Sequence, residues 1–116
     1  MRAGASVYGS SKAALTYFTR ALVLDTQNLP VHVGFLSPGI VLTDLFTGGP
    51  DAELSESTKR IANILGDRVE TVAPFLVEGM MSNEKHGAKI AWLTRRKIVW
   101  RFLSARFRRR DIFSED

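Results

Sequence analysis

Near the start of the chain, one long helical stretch is followed at once by a short apolar run that stops at Pro38-Gly39, and this succession constrains the fold more than anything else in the sequence. Residues 9–28 are good helix formers with no internal Gly or Pro. Ser10 or Ser11 stands near the start, and Asn28 and Pro30 supply the stop. Ala14, Phe18 and Leu22 recur at helical spacing, with Leu15 beside them, and predict an apolar stripe. Residues 31–37, Val-His-Val-Gly-Phe-Leu-Ser, are β-branched and aromatic, which is how a buried strand running into a loop reads. A helix followed by a buried strand predicts a parallel α/β layer.

The rest of the chain continues the alternation. Thr47-Gly48-Gly49-Pro50-Asp51 is turn chemistry, residues 55–65 predict a helix, and Gly66-Asp67 predicts a break. A second helix is expected over 69–81, starting late because Pro74 is best tolerated in a first turn, where the amide it lacks is unpaired anyway. Residues 89–93 predict a short strand after Gly87, and 97–107 a helix with Ile98, Phe102 and Leu103 on one side. A length of 116 residues suits one core, and 45% hydrophobic with 24% charged residues is the composition of a folded domain and not of a disordered one.

Several classes of chemistry are excluded. Without cysteine there are no disulfides, thiolate metal sites or thiol nucleophiles, and the expected compartment is cytoplasmic. No apolar run approaches the roughly 20 residues of a membrane-spanning helix. His32 and His86 have no ligand-spaced partner, so no metal is expected and both read as structural or surface residues.

Tyr8-Gly9-Ser10-Ser11-Lys12 carries the chemistry. A separation of four residues puts phenol and ammonium on one side of a helix start. A phenol with a pKa of about 10 is a poor acid near neutrality, and a neighbouring cation favours its ionised form. Spacing alone fits a solvated helix face equally well. The wider context decides: Tyr8-Gly9-Ser10-Ser11-Lys12-Ala13-Ala14-Leu15, then helix, strand and Ser37-Pro38-Gly39-Ile40-Val41-Leu42-Thr43-Asp44, resembles the short-chain dehydrogenase/reductase family. The resemblance implies an α/β fold, the C-terminal part of a Rossmann-like doubly wound parallel sheet. It implies that Tyr8 exchanges a proton with the substrate oxygen and contacts the cofactor. Lys12 would tune Tyr8 and hold the nicotinamide ribose, while Pro38, Gly39, Val41 and Thr43 would border the nicotinamide. The implied cofactor is NADP or NAD, and the implied partner is a small carbonyl or alcohol substrate. Residues 31–45, 68–73 and 92–110 look most like chlorophyll b reductase-like members, which favours NADPH.

Parts of the family pattern are not here. No strand runs into a glycine-rich phosphate loop, Gly48 and Gly49 read as loop flexibility, and Ser6, Ser10 and Ser11 do not match the position of the family's catalytic Ser. The chain therefore reads as an incomplete sheet, poorly stable and inactive alone, within a longer form that is compatible with a homo-oligomer.

The net charge of +4 is unevenly placed, because half of the 16 basic residues lie in 95–110. Residues 1–94 read as the reductase part and 95–116 as a basic amphipathic tail. Three readings compete for the tail: a helix on the body with a solvated basic side, an anionic membrane surface that would make the protein peripheral to a membrane, and, least, nucleic acid or another polyanion. A non-catalytic polybasic interaction module is the alternative to the enzyme.

Overall fold

The computed structural model describes residues 4–49 and 53–114, so Pro50 and Asp51 of the expected turn lie outside the described residues. The chain divides into two compact units, Met1–Phe35 with Asn83–Lys89, and Leu36–Ser82 with Ile90–Asp116. The elements are helices and short paired strands, an incomplete α/β arrangement of the kind expected.

The first unit is built on helix α1, Ser6–Asp25, which starts earlier than the serines suggested. Ala5 is the N-cap and offers no side-chain bond. Ser10 and Ser11 therefore lie inside the helix, where Ser11 Oγ turns back to the Tyr8 carbonyl at 2.8 Å. The covered stripe also differs from the one expected. Thr19, Ala21, Leu22, Val23 and Thr26 are the sheltered residues, toward the end of the helix, whereas Ala14, Leu15 and Phe18 are exposed and no residue of α1 is fully buried.

His86 is the structural residue the sequence suggested. The Val33 amide donates to its Nδ1 at 3.2 Å, so the ring proton sits on Nε2 and donates to the Val23 carbonyl at 2.7 Å. One imidazole thus ties the end of α1 to the segment at 33. Residues 31–34 are not strand; β1 covers only Phe35–Ser37, with the Phe35 amide donating to the Ala88 carbonyl at 2.8 Å. β1 pairs with β4, Lys89–Ala91.

The second unit contains a pairing that the sequence did not announce. β2, Ile40–Leu42, runs parallel to β3, Gly66–Arg68, with Ile40 opposite Gly66, Val41 opposite Asp67 and Leu42 opposite Arg68. The expected break at Gly66-Asp67 is therefore a strand. Gly66 permits it, because a Cβ there would meet the Ala62 carbonyl oxygen at 2.5 Å and Ile112 Cδ1 at 2.8 Å.

Helix α2, Asp44–Thr47, is capped by Thr43, and α3, Glu56–Leu65, by Ser55, whose Oγ accepts from the Thr58 amide at 3.3 Å. Helix α4, Val69–Ser82, follows β3 directly and runs through Pro74 instead of starting near it, losing the one bond Pro74 would have given the Glu70 carbonyl. Gly79 lets α4 lie close to Ile90, whose Cγ2 would be 2.7 Å from an added Cβ. Helix α5, Arg95–Ser104, begins at Thr94, which caps it by accepting from the Lys97 amide. The buried core is small: Ala62, Val72, Ile112 and one charged residue, Asp67.

Candidate functional site

Tyr8 and Lys12 fall on successive turns of α1, and the Lys12 ammonium lies 5.6 Å from the centre of the Tyr8 ring. This is cation–π range. Tyr8 is 65% exposed. Neither the phenol nor the ammonium takes part in a hydrogen bond or ion pair among the described residues, so both polar ends are open to a ligand. Gly9 between them leaves open space where a side chain would stand.

The segment matched to the nicotinamide border lies in the other compact unit. Gly39 sits at φ +73°, a left-handed turn that a side chain disfavours, and a Cβ there would meet Leu93 Cβ at 2.8 Å. Its glycine is thus required by backbone conformation and by packing. Pro38 precedes it in the loop after β1, and Val41 is the middle residue of β2. Thr43 spends its hydroxyl on the cap of α2, accepting from the Phe46 amide at 3.4 Å, and its side chain remains exposed.

Nicotinamide dinucleotide fits these residues in part. Lys12 in the first unit keeps a free ammonium and Gly39 in the second has no side chain, but no glycine-rich loop opens a helix behind a strand among the described residues. No group of acidic or His residues among them is placed to hold a metal.

A third constellation escaped the sequence. Asp67, only 5% exposed, accepts from Trp92 Nε1 at 2.7 Å, from both terminal nitrogens of Arg101 at 2.6 and 3.2 Å, and from Arg110 Nη2 at 2.9 Å. Burial alone would raise its pKa, but the hydrogen bonds from Arg101 and Trp92, the Arg101 charge and the Arg110 bond outweigh burial and hold it below its ordinary 3.8. The two guanidiniums also reach the end of α3, Arg101 at the Leu65 carbonyl and Arg110 at the Ile64 and Gly66 carbonyls. They neutralise the negative end of that helix as well as Asp67. Lys97 stacks 3.5 Å above the Trp92 ring and donates to the Trp92 carbonyl; burial and then the Arg101 charge lower its pKa. The available signal was a lone acid between a glycine and a basic residue, Gly66-Asp67-Arg68, ahead of an arginine-rich tail.

The chain was compared with known proteins. Residues 1–53, which contain Tyr8, Lys12 and the Pro38 to Thr43 turn, match the short chain dehydrogenase family. Similarity to individual proteins runs further along the chain. Over 111 residues the chain is 35% identical to "Probable chlorophyll(ide) b reductase NYC1, chloroplastic" of Oryza sativa subsp. japonica, covering 96% of this chain and 21% of that protein. It is 33% identical over 110 residues to the protein of the same name from Arabidopsis thaliana, covering 95% and 21%. The chain thus spans about a fifth of the length of these relatives. No solved structure matches it.

Proposed function

We propose that this chain is the Tyr/Lys-bearing part of an NAD(P)-dependent reductase that converts a carbonyl to an alcohol by hydride transfer. The observation that carries the reading is the Tyr8–Lys12 pair, side by side on α1 with both polar ends open, inside the segment that matches the short chain dehydrogenase family. In this reading Tyr8 exchanges the proton at the substrate oxygen. Lys12 steadies the phenolate and binds the ribose, and Pro38, Gly39, Val41 and Thr43 border the nicotinamide. The dinucleotide supplies the hydride. Residues 1–94 form the reductase part, which is inactive alone and works within a longer form.

Relatives named for chlorophyll(ide) b reduction favour a formyl group on a large pigment ring as substrate, with NADPH as the reductant, and a chloroplast in preference to the cytoplasm.

The test is binding of NADPH and NADH by nucleotide fluorescence, with turnover of a formyl-bearing pigment, in the 116-residue chain and in a longer natural form that contains it. Binding and turnover by the longer form are expected. Tyr8→Phe should lower turnover about 10²- to 10⁴-fold with little change in nucleotide affinity, and Lys12→Ala should weaken both. A longer form that binds neither nucleotide overturns the reading.

A further inference from the structure

The eight basic residues of 95–110 do not act as one cluster. Arg101 and Arg110 are committed to Asp67, and Lys97 lies over Trp92. Arg95, Arg96, Arg106, Arg108 and Arg109 are exposed and form no ion pair among the described residues. The cations turned outward frame an apolar strip. Trp100 is 69% exposed and Phe107 88%, with Val99 and Leu103 exposed beside them. Two shallow hollows run along this face and share Trp100 and Leu103. The first, of about 400 Å³, is bordered by Arg95 and Arg96, and the second, of about 310 Å³, by Phe107 and Arg108. Positions 96, 99, 100 and 103 share one face of α5, and Phe107 lies in the turn that follows it.

We infer that this outward face of α5 is a docking surface for an anionic lipid bilayer, with Trp100, Leu103 and Phe107 entering the headgroup boundary and the flanking arginines meeting lipid phosphates. Charge complementarity selects an anionic partner, since no acidic side chain borders either hollow. Apolar content selects lipid among anionic partners. A polyanion would satisfy the arginines but leave aliphatic Val99 and Leu103 in water, whereas a bilayer surface covers both kinds of group together. Trp at such a boundary is favoured because its ring is apolar and its N–H stays wet. No helix among the described residues is long and apolar enough to cross a membrane, so this contact lies on the surface. The inference stands independently of the reductase reading.

The test is co-sedimentation of the full 116-residue chain with vesicles of phosphatidylcholine and phosphatidylglycerol in equal parts, against phosphatidylcholine alone, across a salt series. Binding to the anionic vesicles alone, weakening as salt rises, is expected. Trp100→Ser with Phe107→Ser should reduce it at least tenfold. Arg95→Gln with Arg96→Gln should reduce it about fivefold per charge. None of these residues touches Asp67, so Trp92 fluorescence serves as the folding control. Equal binding to both vesicles, retention by the serine pair, or tighter binding to an oligonucleotide or an acidic protein than to the vesicles would overturn the assignment.

Discussion

A carboxylate that satisfies two arginines and an indole concentrates much of the second unit's order on one residue. Removing one member of such a buried set leaves the others desolvated and unpaired, so Asp67→Ala should cost about 3 kcal/mol, read as a drop in the urea midpoint. Arg110 is more exposed than Arg101, 38% against 14% of its side chain, and water screens it better. Arg110→Gln should therefore cost only about 1 kcal/mol. The pH dependence has a definite sign. Asp67 titrates below its ordinary 3.8 in the folded chain, so its contribution is fully present above that value and is lost as pH falls through the lower, folded one. An acid titration of Trp92 fluorescence should show a transition below pH 3.8 that Asp67→Asn abolishes. Nothing in the sequence pattern distinguished Arg101 and Arg110 from their neighbours, because the choice depends on a carboxylate more than thirty positions away. The proximity of Tyr8 and Lys12 was legible because their relation is local to one helix.

The same distinction governs the elements. Helix α3 was legible to within a residue, and α5 was legible from its periodicity although it runs Arg95–Ser104 where 97–107 was expected, because its Thr94 cap went unread. β2 and β3 were not, because each is three residues long and exists through the other. The stripe on α1 was misplaced at Ala14 and Phe18, which are exposed, though not at Leu22, because the segment tied down by His86 meets the helix near its end, at Val23. Replacing His86 with Phe keeps the ring but removes both bonds, leaving the Val33 amide and the Val23 carbonyl to find water. A loss of about 1–3 kcal/mol is expected, with hydrogen exchange at Val33 accelerated first. Gly39→Ala combines a left-handed φ with a clash at Leu93, each costing at least about 1 kcal/mol. Adding Leu93→Ala should restore the part due to contact and not the part due to φ, which a double-mutant cycle in urea separates.

At the scale of the whole molecule, little apolar surface is removed from water: among the described residues three apolar side chains form the buried core, while Val7, Leu15, Tyr17 and Phe18 lie exposed on α1. Folding has to outweigh a conformational entropy cost of about 1–2 kcal/mol per residue, and so small a core leaves a narrow margin. The sequence reading of poor isolated stability came from a halved sheet with an unpaired strand side and from a long first helix without part of its packing surface. The 116-residue chain should melt broadly, bind a hydrophobic dye in its native state and show a shallow urea transition. Leu15→Ser with Phe18→Ser discriminates between two origins of that dye binding. If the dye sits on the outer face of α1 in a folded chain, the pair should remove most of the signal while changing the stability measured in urea by less than about 0.5 kcal/mol, since those side chains bury little. If the dye instead reports a loosened interior, the signal will survive the substitution, and the core around Asp67 will prove less fixed than its hydrogen bonds require.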